Sequence, residues 1–145
     1  MKNILQAFVL LATLALSVAC GGPAIPDEIP VAREGCGDDH PLVGQTAMLS
    51  TLAHEVSGMV RVVDNCSMVI ENFNYDGGGF EVRAIVSADR QYDMGVALSE
   101  DLRRDEGYEN DTLELFLPEG VTLDDVGGLS IWCVPFGADF GEAVF

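Results

Sequence analysis

The chain has 145 residues and a formal net charge of −17, because 24 aspartates and glutamates oppose seven lysines and arginines. This charge argues against binding to nucleic acid or to anionic lipid headgroups. The length and the apolar fraction of 48% suit one domain with one hydrophobic core. The acidic residues are expected to form a solvated surface, with weak binding of divalent cations as the less favoured alternative.

The first 20 residues have the features of a secretory signal. Lys2 precedes an apolar stretch over residues 4–15, and small residues then lead to Cys20. The pattern resembles a bacterial lipoprotein signal, in which the cysteine receives fatty acyl chains such as palmitate and becomes the mature N-terminus. We therefore expect a signal peptide over residues 1–19 and a lipidated Cys20. An ordinary cleaved signal is the alternative.

A lipidated Cys20 would anchor the protein to a membrane of the cell envelope. Gly21 follows that cysteine where inner-membrane lipoproteins have aspartate. The segment therefore resembles a signal for outer-membrane sorting, if the source is a bacterium with two membranes. The apolar stretch is shorter than the roughly 20 residues that a membrane-spanning helix needs.

The rest of the chain divides into a tether and a β domain. Residues 20–41 are rich in Gly, Pro and acidic residues without periodicity, which predicts a flexible acidic tether. Residues 42–145 contain short strand-like stretches at 56–63, 67–73, 80–86 and 113–117, separated by turn residues. This pattern predicts an all-β domain, either an antiparallel β-sandwich or a flattened barrel. Thr122 and Asp125 are expected to cap one helical turn over residues 123–127.

The stretch that contains Cys133 is apolar on both of its alternating faces. Ile131, Cys133 and Pro135 point to one side, and Trp132, Val134 and Phe136 point to the other. This predicts a strand that is buried on both sides. The thiol within it is an inert core group, half of a disulfide, or the redox-active atom of the protein.

An ordered series of motifs resembles the DM-thirteen (DM13) family, also called the electron-transfer DM domain, known from Skeletor-like matrix proteins and bacterial lipoproteins. The resemblance covers about residues 45–145. It rests on His54-Glu-Val-Ser-Gly58, Val62-Val63-Asp64, Ile70-Glu-Asn-Phe-Asn-Tyr-Asp-Gly-Gly-Gly79, Tyr108-Glu-Asn110, Leu115-Phe-Leu-Pro-Glu-Gly120, Val121-Thr-Leu-Asp-Asp125, Leu129-Ser-Ile-Trp-Cys133 and Asp139-Phe-Gly141. The family usually has proline after the glycine-rich loop, where this chain has Phe80.

The resemblance implies a β-sandwich-like extracytoplasmic domain with a redox or electron-transfer role centred on Cys133. It also marks His54 and Trp132 as family-motif residues, without naming their roles. The chain shows no complete catalytic site, so an enzymatic activity of its own is not predicted. The alternative is a non-enzymatic surface-binding or matrix module whose cysteines are structural. In either case a redox or surface partner is implied but not identified.

The cysteines leave several pairings open. If Cys20 is lipidated, then Cys36, Cys66 and Cys133 remain, and an exported compartment favours a disulfide. Cys66–Cys133 is the first choice, because both residues belong to the predicted domain, and Cys36–Cys66 is the alternative. Cys133 and Cys66 are the candidate redox residues. No Cys-X-X-Cys motif is present, and a reactive thiol would need a lowered pKa.

No cofactor is required by the sequence, although two options are open. Copper could use Cys133 with His40 and His54, but the order of ligands that is usual in cupredoxins is absent after Cys133. Haem could use His54 with Met59 or Met68. A histidine at a strand edge that bonds to the backbone is the more favoured interpretation of His54. No zinc or EF-hand spacing is present, so no metal is predicted.

Overall fold

The computed structural model describes residues 21–145, so the predicted signal peptide and Cys20 lie outside the described residues. Eight strands in this part of the chain form two four-stranded antiparallel sheets. The first sheet has the order β1-β2-β3-β6, with β1 at Thr46–Met48, β2 at Ser57–Asp64, β3 at Ser67–Tyr75 and β6 at Tyr108–Phe116. The second has the order β5-β4-β7-β8, with β5 at Val96–Ala97, β4 at Val82–Ser87, β7 at Gly128–Cys133 and β8 at Ala138–Val144.

One hydrophobic core joins the two sheets. In the first sheet, Val60 of β2 lies opposite Ile70 of β3, and both side chains are fully buried because alternate residues point inward. In the second sheet, Ala84 of β4 lies opposite Ile131 of β7, and both enter the same core. The predicted all-β fold is confirmed, and of the two predicted architectures the chain adopts the sandwich. Among residues 21–145, no helix is long and apolar enough to cross a membrane.

Strand β7 is shorter than the sequence predicted. It is almost entirely buried on both faces, as expected, but it ends at Cys133. Val134–Phe136 forms a 3-10 turn that contains Pro135 and ends at Gly137, whose φ of 57° is left-handed. The chain then reverses into β8, and Phe136 points into solvent instead of into a strand. The proline ring supplies no N–H for a further ladder bond, which explains why the strand stops here.

The region before β4 also differs from the prediction. Alternation over residues 80–86 predicted that Phe80 points inward with Val82 and Ala84. Glu81 has a left-handed φ of 44°, which breaks the alternation one residue before the strand begins. As a result Phe80 is 60% exposed. The capped turn was predicted correctly, because a 3-10 turn at Leu123–Asp125 has Thr122 and Asp125 as a reciprocal capping box.

The acidic segment before the domain is attached to it at several points, of which two lie near the two ends of the segment. Ala24 forms an isolated bridge to Val96 of β5, with an N–H···O distance of 2.9 Å to the Gly95 carbonyl. Further along, Cys36 is covalently bonded to Cys66. These contacts join the described part of the segment to the β domain, and the flexible tether over residues 20–41 stays a prediction.

The bulge between β7 and β8 is held by a half-buried carboxylate. Asp139 accepts hydrogen bonds from the Ser130 hydroxyl at 2.7 Å and from the Gly141 N–H at 2.9 Å, next to the register shift between these strands. Burial raises the pKa of Asp139, although these two hydrogen bonds act in the opposite direction. The native state thus favours the protonated form of this group relative to the unfolded chain.

We expect Asp139→Asn to raise stability near neutral pH. A raised native-state pKa means that the contribution of Asp139 is fully present below its unfolded pKa of about 3.9 and is lost as pH rises through the native pKa. The neutral amide keeps an acceptor oxygen and has no such dependence. Denaturant titrations at about pH 7 and about pH 3 should show a gain relative to the parent protein only at the higher pH. The exposed Asp105→Asn controls for removal of one negative charge, and an equal gain in that variant would refute the assignment to Asp139.

Candidate functional site

Cys133 lies at the carboxyl end of β7, in the core between the sheets. Its backbone is in register with Val82 of β4 and Ala138 of β8. The side chain is only 1% exposed, and its S–H group donates a hydrogen bond to the Phe80 carbonyl at 3.0 Å. A thiol held in this way is shielded from direct attack by another thiol or a disulfide.

The acceptor for this thiol belongs to the loop of residues 76–81, which we name the acceptor loop. It connects β3 to β4, and three of its backbone carbonyl groups accept hydrogen bonds from outside the loop. The Phe80 carbonyl accepts from Cys133, the Glu81 carbonyl accepts from the Val134 N–H at 3.0 Å, and the Gly78 carbonyl accepts from the Tyr75 hydroxyl. Because two residues span at most about 7 Å of chain, the thiol and the phenol contact one short stretch of backbone.

The glycines of this loop are required by its close packing. Gly77 has a left-handed φ of 77°, and a Cβ atom there would overlap the Arg104 carbonyl. Gly78 lies so close to the ring of His54 that a Cβ atom would be 3.1 Å from Nδ1. The Asp-Gly-Gly-Gly run that the sequence marked as a turn is therefore also a site of close contact with two other parts of the chain.

His54 forms hydrogen bonds with Asp76, the first residue of the acceptor loop. Its Nδ1 lies 3.0 Å from both carboxylate oxygens of Asp76, and its backbone carbonyl accepts the Asp76 N–H at 3.1 Å. The imidazole ring packs on Phe140 with a centroid distance of 4.2 Å. His54 and Glu55 are consecutive residues with left-handed φ values of 53° and 58°, a strained arrangement that these contacts hold in place. His54 is thus a residue that positions the loop and, with it, the carbonyl group that binds Cys133.

A cluster of aromatic rings lies beside this loop. Tyr75 is stacked on Tyr108 with a centroid distance of 5.9 Å, and Phe73 lies 5.0 Å from Tyr108. The Arg104 guanidinium is 3.6 Å above the Tyr108 ring, in a cation–π contact. Burial raises the pKa of Tyr75 above its usual range, and the negative charges of Asp76 and Asp101 add to this effect. Tyr75 is therefore a neutral phenol in the neighbourhood of the Cys133 thiol.

Trp132 does not share this environment, because it points to the other face of the second sheet. Its ring packs on Tyr92 with a centroid distance of 5.8 Å, in a small cluster with Ile85 and Ala97. The indole Nε1 atom is buried and has no hydrogen-bond partner within residues 21–145. The side chains of Trp132 and Cys133 thus lie on opposite faces of β7.

The structure contradicts the first-choice disulfide. Cys66 is bonded to Cys36, with a Cα–Cα distance of 5.8 Å, and Cys133 is the free cysteine of residues 21–145. Gly37 and Asn65 explain the pairing, because the Asn65 N–H donates to the Gly37 carbonyl at 2.8 Å and draws the two segments together. The alternative pairing is the one that forms. Cys66 therefore carries no free thiol, and Cys133 is the candidate that does.

The ligand sets considered for copper and haem are not brought together. His40 lies 3.2 Å from Asp124, and His54 is paired with Asp76. Within residues 21–145, the one group of three potential metal ligands is Cys36, Asp64 and Cys66. Its two sulfur atoms form the disulfide, so they do not fit a metal.

The residues considered as haem ligands are also not brought together. Met68 is buried in the core, whereas Met59 lies on β2 beside the inward-facing Val60 and so points to the opposite face of the first sheet. The His54 ring packs on Phe140, with a centroid distance of 4.2 Å. These residues therefore do not form a haem site.

Residues 48–145, which include Cys133, the acceptor loop and the aromatic cluster, match the family model described as Electron transfer DM13. The chain belongs to the DM13 family. It is 37% identical over 100 residues to protein Skeletor, isoforms B/C, of Drosophila melanogaster, a match that covers 65% of this chain and 13% of that protein. It is 28% identical over 118 residues to the cytochrome b561, DM13 and DOMON domain-containing protein of Arabidopsis thaliana, with coverage of 79% and 13%.

The chain therefore spans less than a seventh of the length of these curated relatives. Isoforms D/E of Skeletor are also 37% identical over 100 residues, and the match covers 7% of that protein. No solved structure matches the chain. The comparisons thus establish the DM13 domain itself, and they leave the activity of the whole protein open.

Sequence reasoning missed two residues of the candidate site, Tyr75 and Phe80. Tyr75 stood within the family motif as part of a turn, and its hydroxyl contact to Gly78 depends on the folded loop. Phe80 was taken for an inward residue of β4. A signal was available for Tyr75, because the hydroxyl of a buried tyrosine usually finds a hydrogen-bond partner.

Proposed function

We propose that this protein is a redox module of the cell envelope in which Cys133 is the group that exchanges electrons. The observation that carries the proposal is the state of Cys133, a free thiol in a disulfide-containing chain, buried and bonded to a backbone carbonyl. A cysteine in an exported protein would otherwise pair where a second cysteine lies within reach. The family description, electron transfer, agrees with this role.

The burial of the sulfur favours electron exchange without bond formation to a partner. In the oxidising direction, the S–H bond breaks, one electron passes to a one-electron acceptor, and the proton leaves to solvent. The sulfur becomes a thiyl radical, and the acceptor is reduced by one electron. The return of one electron and one proton restores the thiol, so atoms and charge balance over the cycle.

A metal-containing electron carrier is the class of acceptor that we propose. The name of the Arabidopsis relative combines a DM13 domain with cytochrome b561 in one protein, which supports a haem protein as the redox partner. Oxidation of a thiol to a thiyl radical requires a strong one-electron oxidant, so the haem iron of the partner has to be a high-potential centre. In this proposal the haem belongs to the partner, and the DM13 domain contributes the thiol and the surface around it.

The location is part of the proposal. Lipidation of Cys20 would hold the domain at a membrane surface, and the disulfide between Cys36 and Cys66 agrees with an oxidising, extracytoplasmic compartment. Mass spectrometry of the natural protein would test this. A mature chain that begins at Cys20 with bound acyl groups is expected, and a chain that begins elsewhere without lipid would refute the anchor.

Voltammetry of the full chain tests the redox role. We expect one reversible one-electron wave whose midpoint potential falls by about 59 mV for each unit of pH, because one proton leaves with each electron. Cys133→Ser should abolish the wave, while a Cys36→Ser, Cys66→Ser double variant should retain it. The absence of a wave in the parent protein, or an unchanged wave in Cys133→Ser, would refute the proposal.

A second candidate function is a non-enzymatic binding module with structural cysteines. The Cys36–Cys66 disulfide favours it, since two of the three cysteines in the described chain only cross-link the fold. In that case Cys133→Ser would lower stability without changing any electrochemical signal. The same voltammetry therefore separates the two functions.

A further inference from the structure

Two phenylalanines form an exposed aromatic patch on the surface of the domain. Phe80 is 60% exposed and Phe136 is 67% exposed. Their rings touch edge to face, with a centroid distance of 5.4 Å and an interplanar angle of 70°. The two residues come from separate parts of the chain, the acceptor loop and the 3-10 turn after β7, so the fold brings them together in solvent.

The aromatic patch is linked to Cys133 through the backbone on both sides. The carbonyl group that accepts the Cys133 S–H bond belongs to Phe80 itself. Phe136 ends the 3-10 turn that begins immediately after Cys133. One hydrogen bond and the covalent bonds of Phe80 therefore connect the buried sulfur to an exposed aromatic ring. Electronic coupling weakens steeply with distance, so this is the place where a partner would approach the sulfur most closely.

The charges of the domain indicate the sign of the net charge that the partner carries. Five of the six arginines in residues 21–145 are within 3.4 Å of a carboxylate, in the pairs Arg61–Glu71, Arg83–Glu81, Arg90–Glu142, Arg103–Asp101 and Arg104–Asp111. The single lysine, Lys2, belongs to the predicted signal peptide. Because the net charge of the chain is −17, an approaching protein meets a large surplus of carboxylates.

We propose that the aromatic patch of Phe80 and Phe136 is the docking surface for a positively charged electron-carrier protein with an exposed cofactor edge. This inference rests on the proposed redox function of Cys133. The patch supplies an apolar contact at the centre of the interface, and the acidic surface steers the cationic partner toward it. A second copy of this chain carries the same negative charge and is repelled, so it is not the occupant.

Binding measurements with two small cytochromes test the proposal. The probes are a cationic c-type cytochrome and an acidic cytochrome b5, both of which have an exposed haem edge. Calorimetry with the full chain should show binding of the cationic cytochrome only. Raising the salt from about 20 mM to about 200 mM should weaken it at least about tenfold, because the steering charges are screened. Equal binding of the acidic cytochrome, or no binding of the cationic one, would overturn the proposal.

Variants then locate the surface. A Phe80→Ser, Phe136→Ser double variant should bind the cationic cytochrome at least about tenfold more weakly, while the backbone acceptor of Cys133 is retained. Met94→Ser is the matched control, because Met94 is 69% exposed and lies just before β5, at the end of the second sheet away from Cys133. Unchanged affinity of the double variant, or an equal loss in Met94→Ser, would refute docking at the patch.

Cys133→Ser separates this inference from the proposed function. It should bind the cationic cytochrome with unchanged affinity, since the sulfur is buried. Binding that depends on the patch, without a voltammetric wave in the parent protein, would refute the redox function alone. A voltammetric wave that depends on Cys133, together with unchanged affinity in the Phe80→Ser, Phe136→Ser double variant, would refute the docking surface alone.

Discussion

Replacing both Cys36 and Cys66 with serine should lower the free energy of unfolding by about 3–4 kcal/mol. The two cysteines are separated by 30 residues, and their bond restricts the unfolded chain more than the folded one. The bond also holds the acidic segment against the turn between β2 and β3. Guanidinium titration of the double variant beside the parent protein measures the loss.

Cys133→Ser is the matched control for the disulfide. Addition of a reductant should destabilise the parent protein and Cys133→Ser by the same amount, and it should leave the double variant unchanged. A Cys66–Cys133 bond would produce the opposite result, because Cys133→Ser would then be insensitive to the reductant. That outcome would contradict the observed pairing.

Phe73→Ala should lower the free energy of unfolding by about 3–5 kcal/mol. The Phe73 side chain is fully buried, and its ring packs against both Tyr75 and Tyr108, with centroid distances of 6.2 Å and 5.0 Å. Its removal leaves a cavity beside the Tyr75 phenol. Denaturant unfolding followed by tyrosine and tryptophan fluorescence measures the effect.

Phe80→Ala provides the comparison for this substitution. It deletes the same atoms from a ring that is mostly in solvent, so the change in stability should stay within about 0.5 kcal/mol. Similar losses of unfolding free energy in the two variants would contradict the burial of Phe73 and the exposure of Phe80. A selective loss in Phe73→Ala would support the aromatic cluster as part of the core.

The sequence was sufficient to predict most of the sandwich because the core depends on simple alternation. Val60 and Val62 of β2 both point inward, and a period of two residues is a local property of the chain. The burial of Cys133 followed from the same reasoning, because β7 is apolar on both faces. The capped turn at Thr122 was predicted for a similar reason, since its two partners are only three residues apart.

The incorrect predictions concern features that the alternation of apolar and polar residues does not report. The orientation of Phe80 is reversed by the left-handed φ of Glu81, a single backbone rotation that leaves no trace in hydrophobicity. The disulfide depends on Gly37 and Asn65, which meet only after the acidic segment has folded back on the domain. The sequence of a segment without periodicity does not indicate which part of the domain the segment will contact.

The short bridge between Ala24 and β5 has a consequence for how the domain would sit at a membrane. If Cys20 carries the lipid, only four residue steps separate the acyl chains from Ala24, a reach of at most about 14 Å. The edge of the second sheet would then face the bilayer closely. Val96 of β5 pairs with Val86 near one end of β4, whereas Cys133 pairs with Val82 at the other. The thiol and the phenylalanines linked to it would therefore face away from the lipid, toward proteins that approach from the opposite side.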